Sequence, residues 1–404
     1  MQAEIKDLTY LIRCSLWDEI PEQKNLQAHT DAAAYWTHLL GMAQHLKISP
    51  FIRYALKLGD GLDCPHRIYA DQIEKLRSMA MRRMCGAEAL AFLQEELRAM
   101  GIESAVIKGQ ALATAYARPQ LRSGCDVDLY VEEKQEKAVY AWAKEQGFAV
   151  EKRVPGTHHG EIWHPYLGLI ELHVMLCNAD ESLVEQVKAK EAFLTHPRED
   201  YVTLSNCGHP VVSIGMTDHM IFILAHMINH YLHGEATPRM LLDVNEFFSA
   251  YRDRIDLERL RQDLALLHYD NFFATVLLIG QKWLGFSYEK AWMEGTREED
   301  ALALLSDFCT CDRAKEDAIA VYDAYCKGNV GGGGKALVLK LSLLGSNIRT
   351  AWQLRHKMRL RSILSIGTKR IANLFFAKDK GEKEKSASDV VERRLALMKQ
   401  MDLL

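Results

Sequence analysis

The chain has 404 residues, of which 48% are hydrophobic and 26% charged, and its formal net charge is −4 at pH 7. This composition is typical of a soluble globular protein with about two or three domains, and the small charge gives no overall electrostatic reason to expect nucleic-acid binding. No apolar run approaches about 18 residues, so we expect no transmembrane segment. The N-terminus lacks the pattern of a signal peptide, and nine cysteines without zinc-ribbon spacing favour reduced thiols and a cytoplasmic location.

Residues 1–100 are predicted to form an N-terminal helical region. Apolar residues recur at intervals of three and four over 32–46 and over 71–100, with strong helix formers between them. Gly101 follows the second run and is a typical residue just past a helix end.

Residues 101–212 are predicted to form a small α/β core. The predicted elements are strands at 104–107, 127–131 and 148–153, helices at 110–117 and 133–146, and a hairpin of strands at 159–163 and 169–176. The fold class that we predict is α+β, with a small mixed sheet flanked by N-terminal and C-terminal helical regions.

The chain is predicted to become helical again from about residue 180, with a helical domain over 213–328 and Thr217 as the N-cap of one helix. Residues 329–404 are predicted to form a Gly-rich linker, a basic amphipathic segment and a C-terminal tail. The segment 335–370 has nine Lys or Arg and no Asp or Glu. It could pack on an acidic patch of its own protein, lie on an anionic membrane surface or contact nucleic acid.

Two aspartates stand one residue apart in the apolar run that begins the second predicted strand. Residues two apart on a strand share a face, so Asp126 and Asp128 project together. Burying two like charges side by side is costly unless a cation compensates. Glu171, on a strand that could pair alongside, would add a third carboxylate. Such a set could hold two ions of Mg²⁺ (or Mn²⁺), which prefer oxygen ligands and substrate phosphates.

A phosphate-binding turn is predicted just before these carboxylates. Gly109 lets the backbone approach a ligand closely, and the start of the following helix presents free amide groups. Lys108 adds a positive charge, and Arg122, four residues before Asp126, could add a bidentate contact to the same phosphates.

These motifs resemble the minimal nucleotidyltransferases of the DNA polymerase β superfamily, and especially an uncharacterised bacterial nucleotidyltransferase family with a Lys-Gly turn and a Glu-Leu-His strand. The stretch from Trp36 to His45 and the later His-x-x-x-His helix also fit that family, so the resemblance covers roughly residues 30–250. The motif residues are Lys108, Gly109, Arg122, Asp126, Asp128, Glu171 and His173.

The resemblance implies that Asp126, Asp128 and Glu171 hold metal and that Gly109 faces the nucleotide phosphates. It also implies that 101–212 is the nucleotidyltransferase core and that the helical domain at 213–328 forms the other wall of the cleft. Many superfamily members have Gly-Ser or Gly-Gly where this chain has Gly109-Gln110. Phosphate binding would then depend more on backbone amides, Lys108 and Arg122.

A second group of candidate residues lies on the predicted helix after Thr217. His226, His230 and His233 recur on one face, and Arg239 and Asp243 follow. These residues could line the acceptor side of the cleft, or His226, His230 and Asp243 could form a zinc site. His173 shares a strand face with Glu171 and could orient that carboxylate or be a hydrogen-bonded core histidine.

The function that the sequence favours is transfer of a nucleoside monophosphate, adenylate by default, from a nucleoside triphosphate to an acceptor hydroxyl, with release of pyrophosphate. The acceptor could be a protein, a sugar, a small molecule or RNA. Two alternatives stay open. One is a metal phosphohydrolase that uses His226, His230 and Asp243, and the other is a non-catalytic nucleotide-binding or interaction module on the same scaffold.

Overall fold

A computed structural model describes most of the chain outside 310–395. The described residues are 3–59, 61–124, 127–153, 159–176, 194–232, 235–309 and 396–403. Asp126, His233, the Gly-rich stretch 329–334 and the basic segment 335–370 therefore lie outside the described residues, and what the sequence predicts for them stays a prediction. Among the residues that are described, no helix is both long enough and apolar enough to cross a membrane.

Four helices precede the sheet, and they confirm the helical reading of the N-terminal region. They are α1 (Ala3–Trp17), α2 (Ala32–His45), α3 (Ser49–Leu58) and α4 (His66–Ala99). The side chain of Asp31 caps α2 by accepting a hydrogen bond from the Ala34 amide, and Pro50 lies in the first turn of α3. Helix α4 begins before the predicted residue 71, so the periodic stretch is longer than the sequence indicated.

The centre of the fold is one mixed sheet of seven strands with the order β3-β4-β5-β2-β1-β7-β6. Strand β2 is parallel to β5, β1 is parallel to β7, and the other neighbours are antiparallel. This sheet with its helical flanks confirms the predicted α+β class. The strands are β1 (Ser104–Val106), β2 (Val127–Val131), β3 (Ala149–Glu151), β4 (His159–His164), β5 (Gly168–His173), β6 (Val202–Asn206) and β7 (His209–Ser213).

Strands β6 and β7 correct the expectation that the chain is helical from about residue 180. They form a hairpin in which Cys207 and Gly208 both have positive φ, at 50° and 86°. Two consecutive residues of this kind make the tight turn whose twist matches antiparallel strands. Glycine adopts it readily, and the Cys-Gly pair is a weaker turn signal than Asn-Gly, which explains why the sequence pattern was missed.

The sheet separates two layers of packing. One face packs through Leu129, Ile170 and Leu172 against α4 and α6 (Glu136–Glu145). The opposite face looks toward the C-terminal helices. These are α7 (Met216–Leu232), α8 (Pro238–Tyr251), α9 (Leu257–Leu267), α10 (Asp270–Ile279), with a π-turn at Gly280–Leu284, and α11 (Glu298–Phe308).

The N-terminal and C-terminal helices share one hydrophobic core, although the sequence indicated two separate regions. Trp36 and Phe51 from the first region belong to the same buried cluster as Phe247 and Phe273 from the second. The indole of Trp17 donates to the Leu284 carbonyl at 2.7 Å. The last described residues, 396–403, are partly helical and join this core through buried side chains.

Candidate functional site

Two carboxylates meet at the middle of the sheet, on the face that looks toward the C-terminal helices. Asp128 on β2 is in register with Glu171 on the parallel neighbour β5, and in-register residues of adjacent strands project from the same face. Asp128 is 5% exposed and Glu171 is half-buried. The alternating apolar residues of both strands fill the opposite face, so the strand period of two fixes the position of the carboxylates.

Lys108 supplies a positive charge to this pair. Its Nζ lies 2.6 Å from Asp128 Oδ1. The neighbouring Ile107 amide donates to the Asp128 carbonyl at 3.0 Å, and this hydrogen bond holds the chain after β1 beside Asp128 on β2. Burial alone would raise the pKa of Asp128, but the Lys108 charge and a hydrogen bond from His173 hold that pKa well below its usual range. Asp128 is therefore a carboxylate at neutral pH, and it is already compensated by one cation.

The turn after Lys108 has the backbone that the sequence indicated and a shorter helix. Gly109 has φ +51° and ψ −105°, a conformation that residues with a Cβ rarely adopt. Helix α5 covers only Gln110–Ala113 rather than 110–117, so the amide dipoles that it can align toward a phosphate are few. Gln110 is buried and accepts a hydrogen bond from Asn206. Its side chain thus packs inward, where a serine could instead face a ligand.

His173 links the two carboxylates. Its Nε2 lies 3.2 Å from Asp128 Oδ1 and 3.4 Å from Glu171 Oε2, and the residue is 1% exposed. The hydrogen bond between His173 and Glu171 is the main cause of the lowered pKa of Glu171, whereas burial acts to raise that pKa. The predicted orienting role of His173 is consistent with this contact.

His159 joins this group from the neighbouring antiparallel strand. It is the direct partner of His173 in the β4–β5 register, and the two rings are 5.2 Å apart. One ligand atom each from His159, Glu171 and His173 lies within 4.8 Å of the others, a spacing that a single metal ion could bridge. His159 is not among the site residues predicted from the sequence, and the register of the hairpin is the signal that could have found it.

Arg122 and Arg239 converge on Asp243 rather than on the Asp128 group. Asp243 on α8 is 4% exposed and receives Arg122 Nε at 2.7 Å and Nη2 at 3.0 Å, Arg239 Nη1 at 2.6 Å, and the Tyr116 hydroxyl at 2.8 Å. Both carboxylate oxygens of Asp243 are thus in use. The Arg122 guanidinium was expected to hold phosphate, but its Nε and Nη2 form this buried ion pair with Asp243. A phosphate contact by Arg122 stays a prediction, and it would have to use Nη1.

Comparison with known proteins identifies the family to which the chain belongs. Residues 32–285, more than half of the chain, match the model of a family described as uncharacterised nucleotidyltransferase. The chain belongs to this nucleotidyltransferase family. A crystal structure of an antigenic nucleotidyltransferase-like protein from Paracoccidioides brasiliensis is similar at 16% identity and a TM-score of 0.30, over 48% of this chain and 92% of that chain. No curated protein matches the chain.

In the part of the chain that the structure describes, the histidines of α7 do not assemble a metal site with Asp243. The rings of His226 and His230 are 4.4 Å apart, and His230 Nδ1 lies 3.3 Å from the Glu235 carboxylate. Burial, and next the charge of Lys108, hold the pKa of His226 well below its ordinary value. Within the described residues, the group of three side chains that could hold a metal is His159, Glu171 and His173. The zinc site predicted as an alternative therefore lacks its assembled ligands.

Proposed function

We propose that the protein transfers a nucleoside monophosphate from a nucleoside triphosphate to an acceptor hydroxyl, with release of pyrophosphate. ATP is the donor that we would test first. The observation that carries the proposal is the in-register pair Asp128 and Glu171, with Lys108 Nζ 2.6 Å from Asp128. Membership of the nucleotidyltransferase family supports the same reaction. The finer choices of base, acceptor and metal are part of the proposal.

A divalent metal fits this pair of carboxylates. Asp128 is a buried carboxylate whose charge already attracts a cation, the Lys108 ammonium, and Glu171 is its neighbour across the strands. Both offer the oxygen ligands that Mg²⁺ and Mn²⁺ take. Asp126, one residue before the described part of β2, is proposed as the third carboxylate. A bound ion would neutralise phosphate charge and polarise the attacking oxygen.

The remaining residues have roles that follow from their positions. Lys108 would move its ammonium group from Asp128 to a phosphate oxygen when a nucleotide binds. Gly109 leaves room for the phosphates to approach the main chain. His173 holds Asp128 and Glu171 in a fixed orientation through its Nε2, as partners of metal ligands commonly do. The half-buried histidines of α7 are proposed to face the acceptor.

One observation favours a second candidate, a module that binds nucleotide without turnover. Lys108 occupies Asp128 Oδ1, so a chain that kept this ion pair with nucleotide bound would hold phosphates and leave the carboxylate unavailable to metal. The two candidates differ in whether pyrophosphate is released.

The experiment is incubation with each α-labelled nucleoside triphosphate and Mg²⁺ or Mn²⁺, with both pyrophosphate release and label transfer followed. The matched variants are Asp128→Asn, which removes the charge and keeps the shape, and Asp253→Asn, which changes an exposed aspartate. We expect the native protein and Asp253→Asn to release pyrophosphate, and Asp128→Asn to release none. Nucleotide binding with no release under any of these conditions would support the second candidate. Release that survives Asp128→Asn would exclude the proposed site.

A further inference from the structure

A buried arginine in the N-terminal helical layer forms no ion pair within the described residues. Arg53 on α3 is 8% exposed. Its Nε donates to Gln72 Oε1 at 2.9 Å, its Nη2 to Gln44 Oε1 at 3.0 Å, and its Nη1 lies 2.9 Å from the Met79 sulfur. All three partners are neutral. In the described part of the chain, no acidic group forms an ion pair with this guanidinium.

The carboxylate whose charge acts on Arg53 is bonded to other groups. Asp71 Oδ2 accepts from Lys75 Nζ at 2.6 Å and from the Gln72 amide at 2.7 Å. The charge of Asp71 only partly offsets burial, which lowers the pKa of Arg53. Because guanidinium stays protonated at any ordinary pH, Arg53 is a buried positive charge, and such charges are normally paired with an anion.

Arg53 lines an open cleft rather than a closed core. The cleft between α3 and α4 has a volume of about 470 Å³. Its lining contains three cationic and two anionic side chains, an excess of one positive charge. The lining residues are Gln44, Arg53, Asp71, Glu74, Lys75, Ser78, Met79 and Arg82.

The donors in this cleft suit an oxyanion. Arg82 Nη1 donates to Ser78 Oγ at 2.9 Å, which places a second guanidinium and a hydroxyl on one side, and Arg53 still has N–H groups beyond the three bonds described. The Met79 sulfur is a weak hydrogen-bond acceptor, so a charged oxygen of a ligand would readily replace it as the partner of Arg53 Nη1. Arginine forks match the oxygens of phosphate in geometry and in charge.

We propose that the cleft between α3 and α4 binds the phosphate group of a small molecule, with Arg53 as its buried anchor and Arg82 at its rim. This site is separate from the nucleotide site, and its existence does not depend on the proposed transferase activity. The turn between α2 and α3 contacts the loop that leads to β2, where the Ser123 hydroxyl donates to the Lys47 carbonyl.

The test is a calorimetric titration with inorganic phosphate, made in a Lys108→Gln background that weakens phosphate binding at the nucleotide site. We expect saturable binding that weakens at least tenfold on adding Arg53→Gln or Arg82→Gln. Arg98→Gln is the control, because Arg98 is an exposed arginine of the same helix α4 and pairs with Glu95. Circular dichroism checks folding, and the exposed Arg82 supplies the result if Arg53→Gln unfolds.

Three outcomes would overturn the proposal. One is no saturable phosphate binding by folded Lys108→Gln protein. Another is an isotherm that neither Arg53→Gln nor Arg82→Gln alters. The third is acetate binding as tightly as phosphate, which would assign the cleft to carboxylates. Because nucleotide turnover is measured separately, failure of this site leaves the transferase proposal intact, and the reverse also holds.

Discussion

Asp128 is a single residue on which four groups depend. Lys108 and His173 contact its side chain, Glu171 is its in-register neighbour on the parallel strand, and the Ile107 amide donates to its carbonyl. Asp128 is 5% exposed. Because it is buried and bonds to several groups, it fixes the arrangement of the site as well as its charge. The residue-scale predictions therefore separate charge from shape.

Replacing Asp128 by Asn should lower kcat for pyrophosphate release by about a hundredfold or more, because the site loses the charge that holds a divalent cation. Steady-state kinetics with saturating Mg²⁺ measures this loss. The side chain keeps its size, so the circular dichroism spectrum should stay that of the native protein. A variant that retains more than a tenth of the activity would contradict the role given to Asp128.

Replacing His159 by Ala should weaken Mn²⁺ binding about tenfold and leave Mg²⁺ binding nearly unchanged. Imidazole is a good ligand for transition metals, whereas Mg²⁺ prefers oxygen. The paramagnetic resonance signal of free Mn²⁺, followed during titration, gives the affinity, and competition with Mg²⁺ gives the second value. Equal losses for both metals would mean that His159 acts on the site indirectly.

At the scale of elements, α7 is held at its start by a residue outside the helix. Glu199 Oε2 accepts from the amides of Thr217 at 2.9 Å and Asp218 at 3.2 Å, and Asp218 itself, fully buried, accepts from Arg198 and Arg259. Thr217 was predicted to be the N-cap, but it lies inside the helix. A distant carboxylate performs the capping, which local sequence cannot reveal.

Glu199→Gln should therefore lower the free energy of unfolding by about 1 kcal/mol, the usual contribution of a helix cap. Chemical denaturation at pH 7 measures it. Glu145→Gln, an exposed glutamate at the end of α6, is the control and should change stability by less than about 0.5 kcal/mol. If the two variants unfold alike, α7 does not need this cap.

The sequence predicted those elements whose residues carry a local period. Strand β2 and the β4–β5 hairpin alternate apolar and polar residues, and α2 and α4 repeat at helical spacing, so each was located within a few residues. The sequence did not predict the β6–β7 hairpin, the short length of α5 or the ion pair between Arg122 and Asp243. Each of these depends on a partner about 100 residues away or on a turn with a weak signature. Site residues on strands could be predicted, and their partners across the fold could not.

At the scale of the whole molecule, the titration of Glu246 should affect the overall stability. Burial, and then the charge of Asp243, raise the pKa of Glu246 on α8 to about 8. The folded protein thus keeps a proton that the unfolded chain loses near its ordinary pKa of 4.5. Between these values the folded state binds more protons than the unfolded one, so stability decreases as pH rises.

We expect the free energy of unfolding to fall by up to about 1.4 kcal/mol per pH unit through this window, after the contributions of other groups are subtracted. Glu246→Gln should remove that slope, because the amide stays neutral at every pH. Urea denaturation of both proteins at a series of pH values from about 5 to 8 measures the difference. Parallel stability curves would show that Glu246 is ionised in the folded protein.

The contact between Lys108 and Asp128 bears on the order in which the proposed metal and nucleotide bind. An ammonium and a divalent ion compete for the same carboxylate oxygen, so a metal binds the empty cleft less tightly than the carboxylates alone would allow. A triphosphate attracts the ammonium to itself and removes the competitor. By thermodynamic reciprocity, the metal must then strengthen triphosphate binding by the same factor. With the function proposed above, one lysine would make metal and nucleotide cooperative ligands, and each would bind the cleft less tightly without the other.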